Sequence, residues 1–410
     1  MKFLVATHTT LRFGALIEVG SGSVLTSIVC SDPTLKHPEI IWSRREFASL
    51  HSENDFVQNQ KSMMATLVSS VMTLDGEGRK ELTSQFGHVT IDTVQVSISA
   101  PWSHTISKVI TYTQNEVFTI TDDLIEDLIK QANEQTVGAL ESVTKDSAHQ
   151  LTIMTRATTD ITANGYQTFN PTGQTAARLT LTQVSAVADT LITDAVTELA
   201  NTMFAKATLE RYSTMLMYHC ITRELYATMT EYCLIDITYE ATELAIVRDG
   251  VLQYATHTQV GINTIIRNLA HKLSVPEADA ASLLKTVLVN DSITLLTTTE
   301  QAAVGLVFAE YEQALTQLFT ETGDSLTIPK VLFLHSNFYN ERYIDDFIIS
   351  AAKKVTLSTH TVHTVTSELF DRLYKNDQET AITDVIFDTS VIMAAQFFHK
   401  QHHCNDFDQV

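Results

Sequence analysis

Apolar and polar positions alternate with a period of two in several short runs of this chain, and with a period near 3.6 in longer runs between them. Residues 15–29, ALIEVGSGSVLTSIV, set two strand-like runs on either side of Gly20-Ser21-Gly22-Ser23, the composition of a tight hairpin. EIIWSRREF at 39–47 extends the pair into a meander. From Phe56 to Leu74 the positions Phe56, Met63, Met64, Leu67, Val68, Val71 and Met72 recur at helical spacing, which predicts an amphipathic helix packed on that meander. The polar stretch DGEGRKE at 75–81 breaks the pattern and predicts a loop.

Residues 89–112 read as two strands, VTIDTVQVSIS and ISKVITY, separated by Ala100-Pro101-Trp102, and TDDLIEDLIKQANEQ follows as a helix. Thr121 is its expected N-cap, with Asp122 and Asp123 at the positive end of the dipole. HQLTIMTRA at 149–157 predicts another strand, Asn164-Gly165 a turn, and RLTLTQVSAV at 178–187 a returning strand before the helix DTLITDAVTELANTMFAKA. The block at about 86–180 thus reads as a small α+β module set into a larger domain.

The second half repeats the opening device. LIDITYEATELAIVRDGVLQYATHTQVGIN, residues 234–263, is an apolar strand ending in Asp236, a turn, and an antiparallel pair. A helical region at 262–322 follows, with amphipathic runs NTIIRNLAHKL, EADAASLLKTVL and EQAAVGLVFAEYEQALTQLFTET. KVLFL at 330–334 predicts a buried strand, NERYIDDFIISAAKK a helix, VTLSTHTVHTV a strand and DVIFDTSVIMAAQFFHK a closing helix. Two meanders, each followed by helices, predict an α/β architecture of two related lobes.

Composition narrows the functional classes. At 410 residues, 44% hydrophobic and with 6 Pro, the chain is long enough for two or more ordered cores. Its 27 basic and 48 acidic residues give a net charge of −21, which opposes binding to nucleic acid or to anionic lipid. No apolar run approaches the roughly 20 residues needed to span a bilayer. Arg12 and the polar HTT interrupt a signal-peptide core, and Cys30, Cys220, Cys233 and Cys404 show no CxxC spacing, so a reduced, cytoplasmic setting is expected. No GxSxG, HExxH or P-loop pattern occurs. His399, His402, His403 and Cys404 lie close together but are read as a solvated tail, and His360 and His363 as surface residues, so no metal site is expected.

Together these segments resemble the actin-like ATPase superfamily, and within it the bacterial cell-division FtsA family. The superfamily's first phosphate loop, D-x-G-[ST], is matched by Glu18-Val19-Gly20-Ser21, and its second, D-x-G-G-G-T, by Asp236-Ile237-Thr238-Tyr239-Glu240-Ala241-Thr242. VRDGVLQYATHTQVGIN at 247–263 and NGYQTFNPTGQTAARLTL at 164–181 are similar to the exit of the second hairpin and to the end of the inserted domain of FtsA. The PilM family of type IV pilus proteins is the nearest alternative.

The resemblance implies an actin-like (ribonuclease H-like) two-lobed α/β fold with a small inserted α+β domain. Its boundaries would be a first lobe at 1–85, the insert at 86–180, a return helix at 181–204 and a second lobe at 205–410 carrying a helical subdomain at about 262–328. Nucleotide contacts would fall on Glu18, Gly20, Ser21, Gly22, Ser23, Asp236, Thr238, Thr242, Gly261 and Asn263, and the cofactor would be ATP with Mg²⁺. No catalytic residue is assigned.

The loops depart from the family pattern. Glycines there let backbone N–H groups reach phosphate oxygens. Gly20 and Gly22 are kept, with Ser21 and Ser23 as hydroxyl donors, but Glu18 replaces Asp; it reads either as a holder of Mg²⁺-bound water or as a strand-end charge. In the second loop Asp236 stands where a metal-bound water would be held, or else caps a turn, and Thr242 is either a loop residue or an ordinary strand residue. Tyr239 adds bulk there and Glu240 a charge. Two like charges about 4 Å apart repel by ~1 kcal/mol in water and ~4 kcal/mol at an effective dielectric of 20, weakening binding roughly five- to a thousandfold. The adenine-side turn, His335-Ser336-Asn337-Phe338, lacks glycines, and STMLMYHCITRELYATMTEY at 213–232 lacks the small-residue pattern expected where a catalytic acid is presented.

ATP hydrolysis is therefore not expected. The resemblance implies a division scaffold or adaptor with weakened or lost nucleotide binding, contacting an FtsZ-like tubulin homologue and division membrane proteins and forming a homo-oligomer or filament. The alternatives are a PilM-like pilus-assembly adaptor and an active ATP-binding actin-like ATPase. The acidic tail HKQHHCNDFDQV offers neither a basic face nor an apolar stripe for lipid, so recruitment to the inner face of the cell membrane is expected through partners.

Overall fold

The computed structural model describes residues 11–51, 55–144, 150–290, 292–322, 328–336, 342–366, 388–400 and 407–409. β1 (Arg12–Val19) pairs antiparallel with β2 (Ser23–Ser31), and β2 with β3 (Glu39–Phe47), forming the meander that the alternation predicts. α1 (Phe56–Thr73) is capped by Asp55, which accepts from the Val57 N–H at 2.9 Å. Its Met63, Leu67 and Val71 pack into the core beneath that sheet.

The 75–81 segment is helical rather than a loop. A π-helical turn (Leu74–Gly78) runs directly into α2 (Arg79–Phe86), and Leu74, Gly78 and Leu82 are buried on one side of it. The polar residues decorate the outer face of a helix whose inner stripe is sparse, and a Cβ on Gly78 would come within 3.0 Å of Ile28. The glycine serves close packing here, not chain reversal.

β4 (Thr93–Ile98) runs parallel to β1. The chain then leaves the first sheet to form a third one from β5 (Ser103–Thr119), β6 (Leu151–Ala163), β7 (Tyr166–Gln167) and β8 (Thr175–Asp189). α3 (Asp122–Thr144) covers it, packing Leu128 and Ala132 with Ile110, Leu179 and Leu181. Thr121 caps α3, accepting from the Leu124 N–H at 3.2 Å. Asn164 and Gly165 have φ of 53° and 85°, the left-handed pair that a two-residue hairpin turn requires. α4 (Thr190–Met203) leads back to β9 (Thr208–Ser213), which lies parallel to β4.

Beyond α5 (Thr214–Leu225), β10 (Tyr232–Ile237), β11 (Thr242–Arg248) and β12 (Val251–Thr258) build the second meander. α6 (Ile262–Leu273), α7 (Glu277–Asn290) and α8 (Thr298–Glu321) follow, in the places the helical periodicity marks. β13 (Val331–Ser336) and, after α9 (Arg342–Thr356), β14 (Thr361–Thr364) complete the second sheet. Its order, β12-β11-β10-β13-β14, copies the β3-β2-β1-β4-β9 order of the first.

Several segments lie elsewhere than their sequence positions suggest. β4 was expected within the inserted module and β9 within the second lobe, yet both belong to the first sheet. α10 (Thr389–Lys400) also returns there: Gln95 Nε2 donates to the Ala394 carbonyl at 3.0 Å and Arg12 to that of Phe398 at 2.9 Å. β15 (Phe407–Gln409) pairs with β6, so part of the expected tail is strand. Parallel strands and a returning helix are joined to their neighbours by long-range contacts, which leave no local turn signal in sequence.

His399 is buried, with Ser31 Oγ 2.8 Å from Nδ1 and the Leu35 carbonyl 3.1 Å from Nε2. His402, His403 and Cys404 lie outside the described residues. His360 is likewise buried rather than at the surface, between Thr356 Oγ1 at 2.7 Å and the Pro329 carbonyl at 3.1 Å, whereas His363 is exposed. Among the described residues no helix is long and apolar enough to cross a membrane.

Trp102 joins the inserted module to the first hairpin. Its indole is buried, packs edge-on to Phe56 at 4.9 Å, and donates through Nε1 to the Gly20 carbonyl at 2.9 Å. Trp102→Ala is expected to cost about 3–5 kcal/mol, and Trp102→Phe about 1–3 kcal/mol by leaving that carbonyl unpaired. Urea denaturation of the two variants checks this ordering.

Candidate functional site

Equal strand orders bring the two hairpin turns, 20–22 and 238–241, face to face between the lobes. In the first, the Gly20 N–H donates to the Ser23 carbonyl at 2.9 Å. In the second, the Thr238 N–H and Oγ1 both donate to the Ala241 carbonyl at 2.9 Å. Each turn is thereby closed on itself before it meets the other.

The turns then touch directly. Ser21 Oγ donates to Thr238 Oγ1 at 2.8 Å and accepts from the Glu240 N–H at 2.8 Å. Gly22 has no Cβ, and one placed there would lie 2.5 Å from the Tyr239 Cβ. Tyr239 is only 9% exposed and meets Phe47 edge-on at 5.8 Å. The N-terminus of α6 is used up as well: Ile262 and Asn263 N–H groups donate to the Thr238 and Tyr239 carbonyls at 3.2 and 2.7 Å. Gly261 permits that approach, since a Cβ there would sit 2.6 Å from three backbone atoms of the turn.

Glu240 does not project a free charge into the cleft. Its carboxylate accepts from Asn263 Nδ2 at 2.7 Å and from both terminal nitrogens of Arg267, at 3.1 and 2.5 Å. Thr242 turns away from the opposite turn, with Oγ1 donating to the Val260 carbonyl at 2.8 Å and lying 2.9 Å from the Tyr311 hydroxyl. In β11 side chains alternate, so Glu243 rather than Thr242 faces the first lobe.

Strand register makes Glu243 part of a cross-strand row that sequence matching missed. His257, Glu243, Asp236 and His335 are direct register partners on β12, β11, β10 and β13. His335 Nδ1 lies 2.8 Å from Asp236 Oδ1, with Thr389 Oγ1 3.2 Å from its Nε2. Burial, with Asp236 alongside, holds Glu243 well above the usual carboxyl range, although the Ala100 N–H opposes this. A four-residue turn at 238–241 sets Glu243 directly across the hairpin from Asp236; nothing local marks His335 as the partner of Asp236.

Glu18 faces a second charged group. Burial raises its pKa, against the pull of Arg45, whose NH1 is 3.6 Å away. Arg45 also pairs with Asp388 at 2.7 Å and donates to Ser23 Oγ at 2.7 Å. Burial alone would lower the Arg45 pKa, but Glu18 and Asp388 outweigh it and raise it. Arg45 and Asp388 are 343 residues apart, a separation that hides their pairing from any motif.

These residues do not fit a magnesium nucleotide. The carboxylates assigned to metal-bound water, Glu18 and Asp236, already face Arg45 and His335. The Gly20, Thr238, Glu240, Ile262 and Asn263 amides, which a phosphate would need, donate to protein oxygens. Asn337 and Phe338 of the expected adenine-side turn lie outside the described residues, and His335-Ser336 is the end of β13.

No protein-family profile matches this sequence, and no characterised protein matches it by sequence. The fold does match solved structures. A PilM–PilN type IV pilus biogenesis complex aligns over 95% of this chain and 99% of that chain, with a TM-score of 0.56 at 12% identity. The ethanolamine utilization protein EutJ from Carboxydothermus hydrogenoformans aligns over 86% of this chain and 84% of its own, with a TM-score of 0.42 at 9% identity. A Bacteroides thetaiotaomicron protein with an actin-like ATPase fold and unknown function aligns over 89% and 96%, also with a TM-score of 0.42 at 9% identity. The chain has the expected actin-like α/β fold: two lobes with an inserted α+β module.

Gly261→Ala is expected to destabilise by about 1–3 kcal/mol or more, because the obstructing atoms are backbone; the denaturant midpoint reads this out. A pH effect follows from His257, whose ring lies against that of His104, tilted by 49° with centroids 4.6 Å apart. Burial, reinforced by His104, lowers the His257 pKa from 6.5 to about 3, and burial lowers that of His104 too. The unfolded chain therefore binds more protons between those values, and this pair loses stability as pH falls from 6.5 towards 3. Glu18 and Glu243, with raised pKa values, give the opposite slope. Comparing melting curves of wild type and His257→Phe isolates the histidine contribution: the variant's Tm should fall less on acidification.

Proposed function

We propose that this chain is an actin-like scaffold or adaptor that works by binding other proteins, with its lobes held together by its own side chains rather than by a nucleotide. The observation that supports this is the direct contact of the two turns: Ser21 shared between Thr238 and the Glu240 amide, with Tyr239 laid against Gly22. Protein atoms take up the hydrogen-bonding capacity that the family resemblance assigns to phosphate. ATP hydrolysis has no place in this reading.

Two forms of the adaptor remain from the resemblance. An FtsA-like protein would contact an FtsZ-like tubulin homologue and division membrane proteins, and would self-assemble. A PilM-like protein would serve at a pilus base. We favour the PilM-like form, which is supported by the fold match to a chain of a PilM–PilN complex at a TM-score of 0.56. The matched structure is a complex of PilM with PilN, and binding an assembly protein is the role we assign to this chain. The net charge of −21 favours reaching the membrane through a protein rather than through anionic lipid.

Calorimetry and thermal shift with ATP and ADP, each with and without Mg²⁺, test the central point. A ligand at about 100 times its Kd adds about 2.7 kcal/mol to stability, so binding at ordinary cellular strength would raise Tm visibly. No saturable rise is expected. A saturable rise that Gly20→Asp abolishes would overturn the adaptor reading in favour of an ATP-binding protein.

A further inference from the structure

The Glu240 carboxylate has a complete set of donors. Arg267 grips it through both terminal nitrogens and Asn263 adds a third donor, the two-pronged geometry by which guanidinium groups bind planar anions. Asn263 and Arg267 are four residues apart on α6, so they share a face. All three side chains are buried. Both residues belong to the second lobe and each touches the first: the Glu240 N–H donates to Ser21 Oγ at 2.8 Å, and Arg267 NH1 donates to the His51 carbonyl, just beyond β3, at 3.5 Å.

We propose that the Asn263 and Arg267 side chains of α6 form an anion site whose resident ligand is the chain's own Glu240 carboxylate, and that this internal ligand keeps the lobes closed without any anion from solution. The inference rests on the adaptor reading above and deepens it. It explains why an acidic residue stands in a turn where the resemblance implies a negatively charged ligand. Emptying the site leaves a buried guanidinium without a counter-charge. A small carboxylate or phosphate oxyanion then becomes the class of ligand that restores it.

The test uses the full chain as wild type, Glu240→Gly and Arg267→Met. Tm is titrated with sodium acetate and with inorganic phosphate against sodium chloride at matched ionic strength. Hydrogen exchange is followed at 18–24 and 236–243. Glu240→Gly should lose several degrees of Tm and exchange about tenfold or more faster in both turns. Acetate or phosphate should restore it saturably where chloride does not, while wild type and Arg267→Met stay unresponsive. Rescue by chloride alone, equal rescue of Arg267→Met, or unchanged exchange at 18–24 would each overturn the proposal. Should Glu240→Gly fail to fold, Glu240→Gln takes its place, and unchanged exchange at 18–24 in that variant overturns it equally. Nucleotide binding by wild type would instead defeat the adaptor reading, whatever Glu240→Gly does with acetate.

Discussion

A single serine hydroxyl between two hairpin turns is the contact on which the interlobe arrangement turns. Ser21 Oγ donates to Thr238 and accepts from the Glu240 amide, so one atom satisfies groups on both sides of the cleft. A typical hydrogen bond contributes only about 0.5–1.5 kcal/mol net, but these are buried and mutually dependent, and losing one leaves its partners unpaired in a medium of low dielectric. The contact needs Gly22 beneath Tyr239 and Gly261 beneath the Thr238 and Tyr239 carbonyls, because any Cβ at either place would overlap those atoms. The glycines that would admit a phosphate in the related fold admit a neighbouring turn here.

Charge is disposed around that contact in two buried groups. Arg45 serves Glu18, Asp388 and Ser23 from the first-lobe side. The row of His257, Glu243, Asp236 and His335 crosses four strands of the second sheet and faces it. Buried ion pairs seldom add much net stability, since desolvation offsets their attraction, yet breaking one is costly. Their effect is on arrangement: Asp388 leads into α10, which lies on the first sheet, while His335 sits on the second and touches Thr389 of the same helix. The start of α10 is thus tied to both lobes.

Much of the architecture could be read from local pattern. The two meanders, the cap at Thr121, the Asn164-Gly165 turn and helices α6 to α8 each carry a signal within a few residues of themselves. Where reading failed, the cause was non-local. Gly76 and Gly78 look like loop residues until Ile28 and Trp42 are placed beneath Gly78. β4 and β9 look like parts of other units until parallel pairing gathers them beside β1. His360 looks like a surface residue until the Pro329 carbonyl arrives from another segment.

At the site, the sequence by itself determined the chemical inventory: a kept first turn at Gly20-Ser21-Gly22, an altered second turn at Thr238-Tyr239-Glu240, and acids at Glu18 and Asp236. It also determined, through period-two alternation, which strand residues could share a face. Only the tertiary structure decided what those groups do to one another. Glu240 reads in sequence as a charge opposed to phosphate, and becomes a bound carboxylate once α6 brings Asn263 and Arg267 against it. Tyr239 reads as bulk, and becomes packing once Gly22 lies under it. Electrostatic and steric terms depend on distances between residues far apart in the chain, and such distances exist only after the lobes have come together.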